Sequence, residues 1–446
     1  MKKELDFQDF KATDFDTWKS RVMKELGEKP YESLIWNIGD GIEVPPYFTS
    51  YQPRFQRFEK SIKEWGSGQR INFSSEKETN QIMLNSLMGG ANHLSISFEN
   101  NEKINFKTLF ENVHLDYISV HFDGKGIHAN FMNDFAAFMM NENVAIENTS
   151  GSFNSASADK ISDTELKVRS EVFFQLKKKW RVFGVNATKI HKKGGSIVQC
   201  LTYAVAETNE WIQKLTSQKL LVDDISAMIA CYFETSSSYF PEIAKYRAFR
   251  TLYANVISAY SPVHSCTLNP YVVASTSTYL QTTLDIHNNL LRNTSQAMSA
   301  IIGNVDVSIV SSYNSLLESN DEDALRWSRN IMHLLREESY FCELEDVSKG
   351  SFYIEYLTDE LAEKSWEMFQ WIEDLGGLNK AWDAFDEKVH LSKQMLEESI
   401  DFGDKVIVGV NKFVDKLQLK KEVSLKNENY LVACVESALR GGQDEN

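Results

Sequence analysis

Five residues in one short stretch carry side chains that could bind a metal ion. They are His114, Asp116, His121, Asp123 and His128. Catalytic zinc takes about three converging protein ligands, and His121 and Asp123 would share one face at the end of a strand, where barrel enzymes place their chemistry. The spacing matches no ligand motif such as HExxH. A polar strand end that meets solvent is the favoured interpretation, and metal-assisted hydrolysis through the three histidines is the alternative.

A second candidate is a phosphate-binding loop at residues 192–196, which reads Lys-Lys-Gly-Gly-Ser before an apolar segment. Free N–H groups at the start of a helix attract phosphate, and lysines would add positive charge. The spacing is not that of a P-loop, and Ser196 is equally suited to cap the helix. We predict a loop and a helix cap here, with phosphate binding as the alternative.

Two other groupings have structural explanations. The run Lys-Lys-Lys-Trp-Arg at 177–181 is typical of a helix C-terminus, where the helix dipole favours cations. A serine or cysteine nucleophile has no support, because the sequence lacks a G-x-S-x-G elbow. Cys266 lies two residues after His264, but that spacing alone does not make a catalytic pair. The residues by themselves therefore indicate no convincing active site.

The composition excludes several classes of partner. Asp and Glu number 63 against 47 Lys and Arg, which gives a formal charge of −16 and argues against nucleic acid and anionic membranes. No apolar run approaches the ~20 residues of a membrane helix. The five cysteines are scattered without a CxxC motif, and the first residues lack the apolar stretch of a signal peptide, so we expect a cytoplasmic location.

Alternating strand-prone and helix-prone segments indicate the fold class. Eight short β-prone runs are separated by longer helical segments, and they lie at 94–98, 117–122, 144–148, 182–187, 228–233, 271–275, 305–311 and 341–344. This rhythm predicts an α/β fold, a (β/α)8 TIM-type barrel. The Ser- and Asn-rich segment 149–162 is predicted to be a loop.

The ends of the chain differ from its middle. Residues 1–45 are predicted to form an N-terminal helical arm with an aromatic stripe at helical spacing, composed of Phe7, Phe10, Phe15 and Trp18. Pro45 and Pro46 mark a break before the barrel. The barrel is predicted over 46–389, and residues 390–446 are predicted to be a C-terminal helical tail.

Several longer stretches resemble methylmalonyl-CoA mutases. The sequence L-I-W-N-I-G-D-G-I at 34–42, followed by P-P-Y at 45–47, resembles the segment before their barrel. F-P-E-I-A-K-Y-R-A at 240–248 resembles their F-x-E-I-A-K-x-R-A, and N-N-L-L-R-N-T at 288–294 resembles N-N-x-x-R-T-T. S-R-N at 328–330 and G-S-F-Y-I-E-Y-L-T at 350–358 continue the similarity. The resemblance runs from about residue 16 to residue 412.

This resemblance implies a particular chemistry for the family. Its catalytic chain is a (β/α) barrel that threads a CoA ester down its axis, followed by a cobalamin-binding module with a D-x-H-x-x-G motif. Adenosylcobalamin starts the radical rearrangement of methylmalonyl-CoA to succinyl-CoA, while the protein positions and protects the reactants.

The sequence departs from the family where that chemistry lies. The family's Tyr-His pair, in S-G-Y-H-M-Q-E-A-G, is replaced by Thr188 and Lys189, and the arginine of T-I-R-Q-Y-A-G is replaced by Gly68. The runs R-T-H-S-Q and S-L-H-T-N become Y-V-V-A-S at 271–275 and V-S-I-V-S at 307–311. Lysine keeps a charge but lacks the geometry and pKa of imidazole. We therefore predict no catalytic, cofactor-binding or metal-binding residue in this chain.

Loss of site residues with retention of scaffold residues predicts a pseudo-enzyme. The resemblance implies a small (beta) subunit of a heterodimeric mutase, paired by pseudo-two-fold symmetry with a catalytic large subunit that holds adenosylcobalamin. No D-x-H-x-x-G motif follows Asn411, so we expect no cobalamin-binding domain. We also expect Val273 and Ile309 to fill part of the barrel. The alternative is an acyl-CoA mutase barrel that borrows cobalamin from a separate small chain.

Overall fold

Eight parallel strands form the central barrel of the protein. The computed structural model describes residues 13–58, 64–100, 103–154, 157–317, 320–343 and 345–415. The barrel strands are β1 Gly66–Asn72, β2 His93–Phe98, β3 Ser119–Gly124, β4 Ser150–Phe153, β5 Trp180–Arg181 with Phe183–Asn186, β6 Ile229–Thr235, β7 Val272–Thr276 and β8 Val307–Ile309. Each pairs in parallel with the next, and β8 pairs with β1. The TIM-type barrel predicted from the sequence is confirmed.

Strand β5 bends where the barrel closes. Its first two residues pair with β4, and its last four pair with β6. Val182, between the two parts, donates its N–H to the Met228 carbonyl at 2.9 Å, which continues the pairing with β6. The Trp180 indole N–H is bonded to Thr149 Oγ1 at 2.9 Å. One bent strand therefore joins the two edges of the sheet.

Helices surround the barrel and precede and follow it. They are α1 Phe15–Leu26, α2 Glu76–Met88, α3 Phe106–Leu109, α4 Ala129–Asn141, α5 Asp163–Gln175, α6 Thr188–Lys192, α7 Ile197–Ser217, α8 Val222–Met228, α9 Tyr239–Ser258, α10 Asn288–Ile302, α11 Glu322–His333, α12 Phe352–Asp374 and α13 Leu378–Asp401. Several begin at a serine or aspartate that caps the first turn, such as Ser75, Ser162 and Asp321. None of the helices in the described ranges is long and apolar enough to cross a membrane.

The strands send alternate side chains into and out of the barrel. In β2, Leu94, Ile96 and Phe98 are buried in the large apolar core shared with the helices. His93, by contrast, stacks on His121 of β3 inside the barrel, with 5.8 Å between ring centroids. This period of two follows from the pleat of a strand. The main core therefore lies between barrel and helices, and the interior is a second, more polar core.

Two strand predictions were wrong and two strands were missed. The segment 144–148 is a turn followed by the 3-10 helix Ile146–Asn148, and residues 341–343 form a turn. The missed strands are β1, whose sequence is Gly-Ser-Gly-Gln-Arg-Ile-Asn, and β4, which lies inside the predicted loop 149–162. Both have small or polar residues facing the interior, so they lack the apolar runs by which the other six were recognised.

The segments at the two ends fold partly onto the barrel. The Trp18 ring of α1 lies on the Tyr47 ring, with 4.8 Å between centroids. Phe15 of the predicted stripe packs on Trp18, with 5.5 Å between ring centroids, whereas Phe7 and Phe10 lie outside the described residues. The predicted boundary between residues 389 and 390 falls inside α13, which runs without a break to Asp401.

A buried carboxylate ties the segment before the barrel to α12. Asp359 accepts hydrogen bonds from Tyr51 Oη at 2.6 Å and from the Arg54 backbone N–H at 2.8 Å. Arg57 bonds the same carboxylate at 2.7 Å and also pairs with Glu355 at 2.8 Å. The Arg57 side chain is 10% exposed and that of Asp359 is fully buried, so these charges depend on one another for compensation.

Replacing Arg57 should destabilise the fold more than replacing its neighbour Arg54. Arg57→Met leaves buried carboxylates short of a cation and should cost about 3 kcal/mol of unfolding free energy. The control Arg54→Met removes pairs to Glu360 and Glu363 from a side chain that is 40% exposed, which should cost about 1 kcal/mol or less. Urea denaturation measures both, and equal losses would contradict the role given to Arg57.

Candidate functional site

The C-terminal end of the barrel is where this fold places active sites. Thr188 and Lys189, which replace the family's Tyr-His pair, open the short helix α6 after β5. The Thr188 hydroxyl donates to Asn186 Oδ1 at 2.5 Å, and its backbone N–H bonds the same oxygen at 3.1 Å. Thr188 is therefore held by its own turn. Because β1 was missed, the strand before this pair is the fifth of the barrel and not the fourth.

Gly68 faces Ile309 across the pair of strands β1 and β8. A Cβ atom at Gly68 would lie 2.4 Å from Ile309 Cγ1, far inside van der Waals contact. Ile309 is only 2% exposed, so it fills the space that any side chain at position 68 would need. An arginine cannot be accommodated at position 68 while Ile309 stays in place.

Apolar side chains fill one side of the barrel interior. Val273 and Ile309 are buried inside the barrel, as expected, in a cluster whose other members are Ala230, Tyr232 and Val307, with Tyr271 packed against it. The Arg181 guanidinium lies over the Tyr271 ring, 3.4 Å from its centroid. These side chains occupy the barrel axis from the side of β6, β7 and β8.

A hydrogen-bonded chain crosses the interior from the opposite side. His121 Nδ1 lies 2.6 Å from Ser152 Oγ, and Ser152 Oγ lies 2.5 Å from Tyr232 Oη. We call His121, Ser152 and Tyr232 the crossbar. A serine beside a histidine can be a nucleophile with its base, but Ser152 is 0% and His121 is 1% exposed. A substrate could not reach these two side chains in this structure. We therefore assign the crossbar a structural role in the barrel interior.

Burial keeps the interior histidines uncharged at neutral pH. It lowers the pKa of His93 to about 4, with a further small contribution from Arg336. It holds the pKa of His121 well below its ordinary value, and the neighbouring His93 and Arg181 act in the same direction. A neutral ring can donate from one nitrogen and accept at the other, which suits the bond between His121 and Ser152.

The proposed metal ligands do not converge. His128 caps α4, its ring accepting from the Phe131 N–H at 3.4 Å. Asp123 accepts from Asn154 Nδ2 at 2.9 Å, while the His114 ring lies against Tyr117. Among the residues that the structure describes, no group of three or more His, Cys, Asp or Glu side chains could hold a metal ion.

The loop at 192–196 is a helix cap. Ser196 and Gln199 form a reciprocal capping box at the start of α7, each side chain bonding the other's backbone N–H. Lys192 lies 3.2 Å from Glu234, and Lys193 lies 2.5 Å from Asp386. Both lysines are thus already paired with carboxylates, and the geometry favours the cap over the phosphate site.

A charged cluster that the sequence did not reveal lies at the C-terminal mouth of the barrel. We call it the mouth cluster: Glu234, Lys192, His191 and Arg70. Burial alone would raise the pKa of Glu234, but Lys192, His191 and Arg70 together hold it below its ordinary value. His191 Nε2 lies 2.7 Å from Ser277 Oγ, and burial lowers the pKa of this histidine.

The mouth cluster consists of charged groups that interact with one another inside the protein. Glu234 is 4% exposed, and one of its oxygens lies 3.8 Å from His191 Nε2 without a hydrogen bond. Glu234 is the penultimate residue of a strand that is otherwise apolar up to that point. A charge in that place was the one signal by which the sequence could have indicated the cluster. The other members come from distant segments with no shared motif.

The contact between Gly68 and Ile309 can be tested by a double-mutant cycle. Gly68→Ala should cost about 2 kcal/mol of unfolding free energy, because the new methyl group overpacks the interior. In an Ile309→Ala background, the same change should cost less than about 1 kcal/mol, since the clashing atom is gone. Urea denaturation of the four proteins gives the coupling energy, and equal costs in both backgrounds would show that the two positions do not compete for space.

Acid should destabilise the protein before its carboxylates titrate. The unfolded chain takes up protons on histidines near pH 6.5, whereas the folded pKa values of His93, His121 and His191 are lowered. The stabilisation is therefore complete above about pH 6.5 and falls as the pH is lowered, by about 1.4 kcal/mol per pH unit for each group.

The contribution of a single histidine can be separated by substitution. Urea denaturation should show a loss of unfolding free energy between pH 7.5 and pH 5.5 that His121→Asn reduces by about 1.4 kcal/mol over the whole interval. The control is His114→Asn, at a histidine outside the barrel interior whose ring centroid lies 6.0 Å from that of Tyr117. Unchanged slopes in both variants would mean that His121 accepts a proton in the folded state.

Comparison with known proteins gives a consistent assignment. The methylmalonyl-CoA mutase family model matches residues 101–433. A methylmalonyl-CoA mutase small subunit from Porphyromonas gingivalis is 27% identical, with 98% of this chain and 75% of that protein aligned. A methylmalonyl-CoA mutase from Rhizobium meliloti is 24% identical over 89% of this chain and 63% of its own length. The chain thus spans less than two thirds of the latter protein.

A solved dihydropteroate synthase from Thermus thermophilus aligns with 61% of this chain and 93% of its own, at 9% identity and a TM-score of 0.30. That likeness is too slight to argue from. The family match covers most of the chain, and the similarity to the small subunit covers nearly all of it. The protein therefore belongs to the methylmalonyl-CoA mutase family.

Proposed function

We propose that this chain is the small, non-catalytic subunit of a heterodimeric, adenosylcobalamin-dependent methylmalonyl-CoA mutase. The observation that carries the proposal is the filled barrel interior. The family resemblance implies a CoA ester along the barrel axis, and here that axis holds the crossbar and the apolar cluster around Val273 and Ile309. A substrate would have to displace buried side chains that pack against one another.

The barrel mouth supports the same conclusion. Gly68 aligns with the arginine of the family motif T-I-R-Q-Y-A-G, so Arg70 aligns with its tyrosine. Lys189 aligns with the histidine of S-G-Y-H-M-Q-E-A-G, so Lys192 aligns with its glutamate. Both replacements join the mouth cluster with Glu234. Groups that would recognise a substrate are thus exchanged for groups that compensate each other's charge.

The described mouth does not fit adenosylcobalamin. Lys192 reaches across to Glu234, and Thr188 is bonded to Asn186, so neither is free to hold a large cofactor. We therefore place the cofactor and the isomerisation of methylmalonyl-CoA to succinyl-CoA in a partner large subunit. The alternative of a barrel that borrows cobalamin would need a substrate-holding site, and Ile309 lies where a side chain at position 68 would have to begin. The free cysteines, two of them buried, suit a reducing cytoplasm.

An exposed apolar groove is the best surface for contact with the large subunit. Two short antiparallel strands, Trp36–Asn37 and Glu43–Val44, precede the barrel. Beside them lies a cavity of about 400 Å³ lined by Leu34, Trp36, Pro45, Pro46, Tyr47 and Phe352. Trp36 is 49% and Tyr47 is 47% exposed. Aromatic side chains are enriched at the energetic centres of protein interfaces. The pairing of two similar chains should then be pseudo-symmetric, as in an isologous dimer.

Co-expression with the large chain tests the assignment. We expect a stoichiometric heterodimer in size-exclusion chromatography and mutase activity only when the large chain is present. The isolated chain should not retain adenosylcobalamin in equilibrium dialysis, and Lys189→His should not restore turnover, because catalytic residues act as a unit. A cofactor-loaded, active isolated chain would overturn the proposal, as would a large chain that is fully active and stable alone beside a monomeric partner.

The groove can be tested in the same complex. Trp36→Ala should raise the dissociation constant of the heterodimer by about tenfold or more, as expected for a central interface aromatic. Tyr117→Ala is the matched control, since Tyr117 is 79% exposed on another part of the surface and should leave the affinity unchanged. If the two variants behave alike, the interface lies elsewhere.

A further inference from the structure

The last turns of α13 carry an exposed apolar stripe. Leu391 is 52% exposed, Met395 is 70% exposed, and Phe402, which follows the last helical residue in helical conformation, is 81% exposed. Their spacing of four and seven residues puts them on one face of the helix, opposite the buried Val389 and Ile400. Single exposed apolar side chains are ordinary, but three along one face indicate a surface for contact. We call Leu391, Met395 and Phe402 the α13 stripe.

The chain around the end of α13 is acidic. Positions 394–404 hold four carboxylates and no lysine or arginine, and the four are Glu397, Glu398, Asp401 and Asp404. Among the described residues only Glu397 of these four pairs with a cation, Lys393, at 3.5 Å. Complementary charge gives a contact its specificity. The α13 stripe therefore favours an occupant that is apolar along one face and has lysines close by.

A later segment of the same chain, past the last described residue, has the matching sequence. Residues 429–440 read N-Y-L-V-A-C-V-E-S-A-L-R. Apolar side chains recur there at the i, i+3, i+4, i+7 and i+8 spacing of an amphipathic helix, at Leu431, Cys434, Val435, Ala438 and Leu439. The preceding residues 416–428 read K-L-Q-L-K-K-E-V-S-L-K-N-E, with four lysines against two glutamates. This sequence thus offers an apolar face next to positive charge.

The connection is long enough for this contact. Residues 416–428 follow Asp415 directly and can span up to about 40 Å when extended. The α13 stripe is only about 16 Å long, because a helix rises about 1.5 Å per residue. A segment tethered by a short connection acts at an effective concentration of the order of mM. This tether favours residues 429–440 over a separate chain as the occupant of the α13 stripe.

We propose that residues 429–440 form an amphipathic helix that packs its apolar face on the α13 stripe, with the lysines of residues 416–428 near the carboxylates at the end of α13. This contact does not depend on the role of the chain in a heterodimer. With the α13 stripe covered from within the chain, the groove around Trp36 and Tyr47 remains open to another chain.

A disulfide trap in the full chain tests the contact. Cys434 lies at the edge of the predicted apolar face, so Met395→Cys should bring two thiols within disulfide distance. Oxidation with diamide, followed by non-reducing peptide mapping, should then link position 395 to Cys434 within one chain. The control is Asn379→Cys, at an exposed position about 24 Å away along the same helix, and its link to Cys434 should form about tenfold more slowly. Equal rates at the two positions, or a link between two chains, would overturn the proposal.

Hydrogen exchange in the isolated full chain gives a second measurement that needs no introduced cysteine. We expect slow amide exchange over residues 429–440, and Val435→Asp, on the apolar face, should speed it about tenfold or more. Ser437→Asp adds the same charge to the opposite face and should leave the exchange unchanged. Equal effects of the two substitutions would contradict the packed face. Amides at 429–440 that are unprotected in the isolated chain, or protected only after a large subunit is added, would assign the α13 stripe to another occupant and overturn the proposal.

Discussion

The interior of an eight-stranded barrel has a fixed size, and something must fill it. In this protein the crossbar occupies one side of the interior, and the apolar cluster around Val273 and Ile309 occupies the other. The strand sequences follow from that constraint. Positions 66 and 68 require glycine. A Cβ atom at Gly68 would lie less than 2.5 Å from Ile309, and one at Gly66 would lie less than 2.5 Å from the His93 ring.

A second constraint on the structure is that buried carboxylates need nearby cations or hydrogen-bond donors. It applies at the barrel mouth and in the segment before the barrel. Neighbouring groups, Lys192 first among them, hold the pKa of the buried Glu234 below its ordinary value, and Arg57 and two further donors reach the buried Asp359 carboxylate. Removing one partner from such a group leaves a buried charge without compensation, which is costly. These clusters therefore fix the positions of α6 and α12 relative to the barrel.

The sequence predicted the parts of the fold whose signals are local. Six strands have apolar runs that face the helices, and their periodicity alone indicated them. Strands β1 and β4 were missed because their small residues are set by side chains on the paired strands, Ile309 beside Gly68 and Trp180 beside Gly151, which no local pattern encodes. The same limit applied at the mouth, where Arg70, Lys192 and Glu234 come from three distant segments. His121 was correctly placed on a strand, but its hydrogen-bond partner, Ser152, lies on a neighbour that had been taken for a loop.

The filled interior also explains how a barrel of this family would serve as a scaffold. An active site needs converging polar groups and open space, and both reduce stability. Here buried side chains occupy the interior, burial lowers the pKa values of His93 and His121, and Lys192 pairs with Glu234 at the mouth. Under the proposed function, a catalytic site would need an arginine at position 68, the removal of Ile309 and the dispersal of the mouth cluster at the same time. We expect each change alone to lower stability without creating a site, because catalytic residues act as a unit.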